Sequence, residues 1–508
     1  MTAADLLQSD FATLPDLIRA HALERGAKTA IADERRAITY AALDRAMGRF
    51  AAGLQRDGVP RGAAVAIVAY PSVEQAVAFL GALRAGCVPA PIAPSATPDQ
   101  IAAMIRDSGS PLVFADAPNA AALAGREVTA APVSLEDLDA WLPADSTRPE
   151  PVAILPGDGF NIIYSSGTTG TPKGIVQSHA MRWAHIARNS ALGFGDAVAM
   201  IATPLYSNTT LVTFLPTVGN GGTAVIMSKF DARRYLELAE SHRATHTMLV
   251  PVQYQRIMAV PDFDRFDLSS FRVKTCTSAP FKAELKADIL ARWPGLLIEY
   301  YGMTEGGASC GLLCNEHPHK LHTVGKPLPG HEIRLIDEDG REVAPGETGE
   351  VVGRSPTMMT GYHGRAEATR DAEWYDADGH RYIRHGDLAR FDEDGFLILM
   401  DRKKDLIISG GYNIYPSDLE AVLLRHPAVA DATVVGVPSE AWGETPVGFY
   451  VPRDGAAEDA DAILTWANGQ VGRTQRLSAL HRTDELPRSA IGKVLKRELR
   501  ERLLGAVA

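Results

Sequence analysis

The sequence has few cysteines, no long uncharged apolar run and no excess of basic residues. Four cysteines among 508 residues exclude a disulfide framework and are typical of reduced thiols in a cytoplasmic protein. The net charge of −11 argues against non-specific nucleic-acid binding, which requires a basic surface. No apolar run reaches the roughly 18 residues that a membrane span needs. Residues 1–17 carry no basic region before an apolar run, so we expect no secretory signal.

The composition that remains is that of an ordinary globular protein, with 46% apolar and 22% charged residues. Short apolar runs alternate with helical patterns, which predicts an α/β fold. After about residue 330 the strand-like runs become short and are separated by turn dipeptides. We therefore predict a large N-terminal domain at 1–402, made of stacked α/β subdomains and, at about 330–402, a β-barrel-like unit. A small mobile α+β C-terminal domain is predicted at 403–508.

Two helix starts and several strands are predicted from local patterns. One helix follows Thr39 and the other follows Thr97, where Pro98 and Gln100 complete a capping box. The apolar face of the first helix consists of Leu43, Met47, Phe50 and Leu54. The early strands are predicted at 64–70, 161–164, 223–227, 247–250 and 296–300.

Residues 165–174 follow a predicted strand and are almost all glycine, hydroxyl or lysine. Glycines let backbone N–H groups converge on an anion, and hydroxyls and Lys173 add further donors. A flexible linker is the alternative, but linkers rarely lie between two apolar runs. A Walker-type loop is excluded because Lys173 precedes Gly174 and no Gly-Lys-Ser/Thr occurs. The predicted phosphate-binding residues are Ser165, Ser166, Gly167, Thr168, Thr169, Gly170 and Lys173.

This loop resembles that of the adenylate-forming superfamily, which includes acyl-CoA synthetases, non-ribosomal adenylation domains and firefly-type luciferases. Further motifs of this family follow in the family's order over nearly the whole chain. They lie at residues 39–43, 81–86, 278–280, 300–305, 385–389, 401–413 and 487–493.

The resemblance implies a role for each motif. Tyr301 stacks on adenine, Thr304 bonds the α-phosphate and Glu305 holds Mg²⁺, a hard cation that prefers carboxylate and phosphate oxygens. The other residues implied on the nucleotide side are Ser278, Ala279, Pro280, Glu299, Tyr300, Gly302 and Met303.

The resemblance also assigns residues towards the C-terminus. Asp387 binds the ribose hydroxyls, Arg402 reaches the ribose and phosphates, and Lys493 is the catalytic lysine. Without the resemblance, Asp387 would be a turn aspartate and the charged run at 401–405 a solvated surface. The implied hinge and coenzyme residues are Lys404, Gly410, Gly411 and Asn413.

The acyl pocket that the resemblance implies contains mostly small or apolar residues. This favours an apolar tail or an aryl ring over a charged amino acid. Many relatives carry histidine or another aromatic residue where this chain has Ser207, so a gate at that position is in doubt and the pocket is expected to be wider. The implied pocket residues are Tyr206, Ser207, Thr277, Gly302, Gly306 and Gly307.

The function implied is that of an acyl-CoA ligase that uses ATP, Mg²⁺ and coenzyme A on a small-molecule carboxylic acid. Rotation about Lys404 would remove Lys493 between the two half-reactions. The alternative is a stand-alone adenylating enzyme that loads a separate carrier protein, since nothing after Lys493 resembles a carrier domain. A non-catalytic sensor would need lost catalytic residues, yet Lys493, Glu305 and Asp387 are present. The assignment is compatible with a luciferase and with a homodimer.

A zinc site is a further alternative for one cluster of potential ligands. The cluster consists of Cys310, Cys314, His317, His319 and His322. The spacing of a Cys-x3-Cys run before His-Pro-His suits zinc. Because the family that the chain resembles has no such site, we do not expect one.

Overall fold

The computed structural model describes residues 1–165, 173–409, 412–453, 455–456, 459–472, 475–489 and 492–505. The chain forms two compact units. The first comprises Met1–Glu332 and Gly353–Ile383, and the second comprises Ile333–Val352 and Arg384–Ala508. The predicted boundary at residues 402 and 403 differs from this division, and the hinge at Lys404 stays a prediction.

The α-helices are α1 (Ala3–Leu7), α2 (Leu14–Arg25), α3 (Tyr40–Arg56), α4 (Val73–Arg84), α5 (Pro98–Ser108), α6 (Ala117–Leu123), α7 (Leu138–Trp141), α8 (His179–Arg188), α9 (Asn208–Gly219), α10 (Ala232–Ser241), α11 (Pro251–Met258), α12 (Ala283–Arg292), α13 (Ala366–Asp371), α14 (Pro416–Leu424), α15 (Ala460–Asn468) and α16 (Lys496–Gly505). Within the described ranges, none is long and apolar enough to cross a bilayer.

The strands are β1 (Thr29–Ala32), β2 (Ala37–Thr39), β3 (Ala64–Val68), β4 (Val88–Ile92), β5 (Val113–Ala115), β6 (Val133–Ser134), β7 (Gly159–Ser165), β8 (Lys173–Ser178), β9 (Val198–Ile201), β10 (Thr223–Ile226), β11 (His246–Leu249), β12 (Val273–Cys276), β13 (Leu296–Tyr301), β14 (Cys310–Leu313), β15 (Lys326–Pro327), β16 (Glu332–Ile336), β17 (Gly349–Arg354), β18 (Gly361–Tyr362), β19 (Glu373–Tyr375), β20 (Arg381–Phe391), β21 (Leu397–Arg402), β22 (Ile407–Ser409), β23 (Tyr412–Ile414), β24 (Val429–Ser439), β25 (Gly443–Pro452) and β26 (Ala479–Arg482).

The first unit contains a nine-stranded sheet in the order β15-β14-β13-β12-β11-β9-β10-β1-β2. Its six central strands, from β13 to β1, run parallel. After β9 the chain forms β10 on one side and then β11 on the other, so the strand order reverses at β9. A parallel sheet β4-β3-β5-β6 and an antiparallel sheet β18-β8-β7 complete the sheets that lie wholly in this unit. The predicted α/β fold is thereby confirmed.

Both predicted helix starts are confirmed. Thr39 accepts a hydrogen bond from the Ala42 amide at 3.3 Å, and the predicted apolar face of α3 is fully buried. The Thr97 amide donates to Gln100 Oε1 at 3.0 Å, and the Gln100 amide donates to Thr97 Oγ1 at 3.3 Å.

The strand predicted at residues 64–70 ends two residues early. The carbonyl of Ala69 accepts a hydrogen bond from Gln75 Nε2 at 2.9 Å instead of joining the sheet. Pro71 follows, and proline has no amide to continue a ladder. The strand β3 therefore ends at Val68.

In the second unit a long antiparallel pair, β24 and β25, forms the centre of a sheet ordered β23-β22-β25-β24. Strand β26 pairs in parallel with β25. Helices α14 and α15 supply Leu419, Leu423 and Ile463 to the core beneath it. Strands β20 and β21 pair in this unit between Asp387 and Arg402. The β-rich region predicted at about 330–402 stays a prediction.

Candidate active site

Several predicted substrate and nucleotide residues of the first unit lie in segments that follow the carboxyl ends of parallel strands. Strands β9, β11, β12 and β13 are neighbours, and their carboxyl ends lie at one edge of the sheet. Ligands of open α/β sheets bind at this edge, close to the strand where the order reverses. The segments that follow these strands are 202–207, 250–256, 277–280 and 302–307. The fold therefore brings four segments that are far apart in sequence to one candidate site.

A hydrogen bond between hydroxyls joins the segment 277–280 to helix α9. Thr209 Oγ1, at the start of α9, lies 2.6 Å from Ser278 Oγ. Ser278 has a φ of 84°, a conformation that costs a residue with a side chain about 1–3 kcal/mol and that clusters at functional sites. The bond ties the predicted adenine segment to the start of α9.

Tyr206 and Ser207 lie after β9, at the point where the strand order reverses. Tyr206 is half-buried and Ser207 is buried. Burial raises the pKa of the Tyr206 hydroxyl, and a hydrogen bond with Ser95 partly opposes this increase. The Ser207 amide donates to Pro204 O at 2.9 Å, so Ser207 closes a tight turn that leads into α9.

The predicted phosphate-binding loop connects two antiparallel strands. Ser165 is the last residue of β7 and lies opposite Lys173, the first residue of β8. The prediction of a loop through Gly174 was wrong, because Gly174 lies within β8 opposite Tyr164. A Cβ on Gly174 would lie 2.8 Å from Ile162 Cγ2, so the packing there requires glycine. Five predicted residues lie outside the described residues: Ser166, Gly167, Thr168, Thr169 and Gly170.

Glu305, the predicted magnesium ligand, belongs to a short chain of contacts. Tyr362 donates its hydroxyl to Glu305 Oε1 at 2.8 Å, and Lys173 Nζ lies 5.1 Å from the centre of the Tyr362 ring. Burial and the Glu305 carboxylate raise the pKa of Tyr362, so it stays a donor. No hydrogen bond or ion pair from the described residues reaches the second oxygen of Glu305. A half-buried carboxylate with one oxygen available fits Mg²⁺.

The segment around Glu305 is held closely by backbone contacts. Gly306 has a φ of 75°, and a Cβ there would lie 1.7 Å from Thr357 O, so only glycine fits. At Gly302 a Cβ would lie 2.7 Å from Ser309 Oγ. The predicted pocket residues Gly306 and Gly307 are buried, and Thr277 is half-buried.

Glu299 and Tyr301, both predicted on the nucleotide side, lie in β13. Glu299 is buried and forms an ion pair with buried Lys286. Burial raises the pKa of the Glu299 carboxyl to about 7, and the Lys286 ammonium opposes this increase. Tyr301 is 9% exposed. The contact with Lys286 occupies Glu299 in this structure, and its nucleotide role stays a prediction.

A buried polar network reaches the backbone of Thr304. Gln177 Nε2 donates to Thr304 O at 2.8 Å. The Gln177 Oε1 accepts from Asn161 Nδ2 at 3.0 Å and from Arg182. Arg182 is fully buried, and burial lowers the pKa of its guanidinium to about 9, so it remains charged at neutral pH.

In the second unit, Asp387 and Arg402 lie opposite each other in β20 and β21. Arg402 Nε is 3.4 Å from Asp387 Oδ1. The structure therefore brings together the two residues predicted to contact the ribose. Burial and the Arg402 charge lower the pKa of Lys404. Gly410, Gly411 and the side chain of Asn413 lie outside the described residues.

Lys493 lies in a turn before α16. Ser489 accepts a hydrogen bond from the Lys493 amide at 3.2 Å, and its own amide donates to Lys493 O at 2.8 Å. Arg488 closes the turn by donating to Gly492 O at 2.8 Å and pairing with Asp431. The backbone of the half-buried Lys493 is therefore held by two hydrogen bonds with Ser489.

The predicted zinc alternative is not supported by the arrangement of its ligands. Among the described residues, the single group of three or more metal-ligand side chains within metal-binding distance is Asp376, Asp378 and His380. Cys310 and Cys314 are buried, and burial raises the pKa of the Cys314 thiol to about 12. Cys310, Cys314, His317, His319 and His322 are thus not grouped as one set of metal ligands among the described residues.

Comparison with known proteins identifies the family. Residues 18–363 match the AMP-binding enzyme family, and residues 418–493 match the C-terminal domain of AMP-binding enzymes. The chain belongs to the AMP-binding enzyme family. A feruloyl-CoA synthase from Amycolatopsis is 36% identical over 488 residues, covering 93% of this chain and 96% of that protein. The 4-coumarate–CoA ligase 5 of Oryza sativa is 33% identical, covering 92% and 90%.

Solved structures agree. ATP-bound MatB from Rhodopseudomonas palustris superimposes with a TM-score of 0.84 at 29% identity, covering 97% of this chain and 99% of that one. The predicted adenylate-forming superfamily, the α/β fold with a large N-terminal and a smaller C-terminal domain, and ATP binding are thus confirmed. The predicted enzyme class, an AMP-forming acid–thiol ligase with acyl-CoA ligase activity, is confirmed. The comparisons do not specify which acid it activates.

Sequence reasoning missed several residues of this AMP-binding enzyme's site. Tyr362 gave no local signal, because it contacts Glu305 across 57 residues of sequence. Arg182 did give one. It lies on the face of α8 formed by His179, Trp183 and Ile186, which are all buried, and a lone arginine on an apolar face indicates a specific partner.

Proposed function

We propose that this enzyme activates an aryl carboxylic acid with ATP and transfers the acyl group to coenzyme A. The observation that carries the proposal is the convergence of Tyr206, Thr277 and Gly306 with Thr304 and Glu305 at one edge of the parallel sheet. Small residues beside a tyrosine leave room for a flat ring. The names of several relatives support an aryl acid: feruloyl-CoA synthase, 4-coumarate–CoA ligase and indoleacetate–CoA ligase.

The proposed nucleotide contacts are assigned to individual residues of the family motifs. Tyr301 and the segment 278–280 would hold adenine, Asp387 and Arg402 the ribose, and Thr304 the α-phosphate. Glu305 would hold Mg²⁺, which when bound supplies positive charge to the phosphate oxygens. The hydrogen bond from Tyr362 leaves one Glu305 oxygen for this contact, which supports the assignment.

The first half-reaction forms a bond between a carboxylate oxygen and the α-phosphorus. The bond from that phosphorus to the bridging oxygen breaks, and pyrophosphate leaves with the electron pair. The step brings two anions together, so it depends on positioning and charge neutralisation. Lys493 would supply a cation to both.

In the second half-reaction the thiol of coenzyme A loses its proton to solvent, and its sulfur attacks the acyl carbon. The acyl–oxygen bond breaks and AMP leaves. A second candidate acceptor is a carrier protein, which is favoured by 30% identity to a fatty acid–acyl-carrier-protein ligase, ScoC, of Streptomyces coeruleorubidus. A cytoplasmic location and a homodimer stay predictions.

A pyrophosphate-release screen with coenzyme A tests the proposal. Aryl, medium-chain, long-chain and dicarboxylic acids are compared, and we expect the highest kcat/KM with an aryl acid. Release of AMP with free coenzyme A as sole acceptor supports the ligase over the carrier-loading enzyme. Preference for aliphatic acids would contradict the substrate class, and no signal with any acid would contradict the function.

A Lys493→Ala variant tests the role of the lysine. It should lose adenylate formation and largely keep thioester formation from supplied acyl-AMP, because only the first step joins two anions. Equal loss of both half-reactions would refute the assignment.

A further inference from the structure

The three carbonyl groups from Thr304 to Gly306 are each held by a donor. Gly306 O accepts from Ser355 Oγ at 2.8 Å, and Glu305 O accepts from the Met359 amide at 2.8 Å. Thr304 O accepts from Gln177 Nε2 at 2.8 Å. Of these three donors, Gln177 is the one whose own orientation depends on a buried cation.

The orientation of the Gln177 amide is fixed by its oxygen. Gln177 Oε1 accepts hydrogen bonds from Asn161 Nδ2 and from Arg182 Nη2, and both of these nitrogens are donors. A flipped amide would place its NH₂ group against both donors, which is unfavourable. Arg182 and Asn161 therefore direct the Gln177 NH₂ group at Thr304 O. Arg182 also donates from Nε to Asn161 Oδ1 at 3.0 Å, which locks the three side chains together.

Arg182 is a buried cation that is compensated only by neutral groups. It is 0% exposed, no carboxylate of the described residues forms an ion pair with it, and one terminal nitrogen, Nη1, has no hydrogen-bond partner. A buried charge without a counter-ion is costly, and Arg182 donates its remaining hydrogen bonds to the amide oxygens of Asn161 and Gln177.

We propose that Arg182 is a positioning residue that acts through Gln177 on the Thr304 carbonyl. This inference rests on the proposed function and deepens it. It assigns to the buried network the alignment of the segment that carries Thr304 and Glu305 for adenylate formation. Neither Arg182 nor Gln177 is proposed to contact the nucleotide.

A double-mutant cycle tests the inference, using Arg182→Met, Gln177→Met and the double variant. Each is measured for kcat and KM of pyrophosphate release, for thermal unfolding and for the rise in Tm caused by AMP. Each single substitution should lower kcat about tenfold, the effect of one well-placed hydrogen bond, with smaller changes in KM. The double variant should lose no more than Gln177→Met, because Arg182 acts through Gln177.

Arg84→Met is the matched control. Arg84 is also buried, but it pairs with Asp44 at 2.6 Å and has no place in the proposed site. Its loss should lower Tm and leave kcat per folded enzyme unchanged. The inference is overturned if the losses in kcat of Arg182→Met and Gln177→Met are additive, or if Arg182→Met behaves as Arg84→Met does.

The same experiment separates the inference from the proposed function. If the wild-type enzyme released no pyrophosphate with any acid, the proposed function would fail. The rise in Tm caused by AMP would then still test the positioning role of Arg182. A smaller rise in both single variants, with no further decrease in the double variant, supports the positioning role, and an undiminished rise overturns it.

Discussion

At the residue scale, Tyr362 tests how Glu305 is held. Tyr362→Phe removes the 2.8 Å hydrogen bond to Glu305 and frees that carboxylate to rotate. Because a hydrogen bond to a charged group contributes about 1.5–3 kcal/mol, kcat/KM for MgATP should fall roughly tenfold or more. Initial rates of pyrophosphate release at varied MgATP measure this effect.

Tyr164→Phe is the control for this substitution. Tyr164 is also half-buried and donates its hydroxyl to a carboxylate, Asp107 Oδ2, at 3.0 Å. The Tyr164→Phe substitution should lower the free energy of unfolding by a similar amount, yet leave kcat/KM for MgATP unchanged. If both variants lose activity equally, the role of Tyr362 is general packing.

His179 gives a pH prediction at the same scale. It is 3% exposed, and burial lowers the pKa of its imidazole from 6.5 to about 4. Between these values the unfolded chain binds more protons, so the contribution to stability is complete above pH 6.5 and is lost as the pH falls towards 4. The free energy of unfolding should fall by about 2 kcal/mol from this group between pH 7 and pH 5.

The His179→Gln variant isolates that contribution. Thermal unfolding of both proteins at pH 7 and pH 5 compares their pH dependence. The variant should show a smaller decrease than the wild type by about this amount. Identical pH dependence in the two proteins would show that His179 is not buried in its neutral form.

Single residues could be predicted where their chemistry is local. Lys173 and Glu305 stand in motifs whose composition suits phosphate and metal. In the structure both contact Tyr362: Lys173 lies over its ring, and Glu305 accepts a hydrogen bond from its hydroxyl. Tyr362 and Gln177 could not be predicted, because each acts through one contact with a residue far away in the sequence. Neighbouring residues say nothing about such a contact.

At the element scale, the packing of α3 against α4 depends on glycine. A Cβ at Gly81 would lie 2.6 Å from Phe50 Cβ, whereas a Cβ at Gly48 would meet only Pro149 Cδ at 3.8 Å. Alanine favours a helix interior by about 1 kcal/mol, but overpacking costs about 1–3 kcal/mol. Gly81→Ala should therefore lower Tm, and Gly48→Ala should raise it. An unchanged or higher Tm of Gly81→Ala would contradict the close packing of α4 on Phe50.

Elements were predictable in proportion to how local their signals are. Helices α3 and α5 are fixed by side-chain caps and apolar faces within their own sequence. The ends of β3 and β8 were not, because hydrogen bonds and packing from other segments determine them. The order of strands in the sheet, which creates the site beside β9, has no signature within any one strand.

At the scale of the whole molecule, two units and one predicted hinge have to serve two half-reactions. The first unit brings four sheet-edge segments together, and the second unit pairs Asp387 with Arg402. The family could be predicted because its motifs are contiguous. The acid could not, because its pocket is assembled from separate segments whose relation only the fold defines.

Lys404→Pro tests the predicted hinge. Proline fixes φ near −65°, so a hinge that must change its backbone angles would keep one conformation and lose the other. Lys404 lies in a helical turn at Lys403–Asp405, a conformation whose φ is close to the value that proline fixes. We expect one half-reaction to fall at least tenfold and the other to change little. Adenylate formation and thioester formation from supplied acyl-AMP are measured separately, with Lys404→Ala as the control that keeps the backbone free. A merely local disturbance would affect both steps together, so equal losses in both half-reactions would contradict a hinge at Lys404. A loss that is confined to one step in the proline variant, and is absent from the alanine variant, would support the hinge.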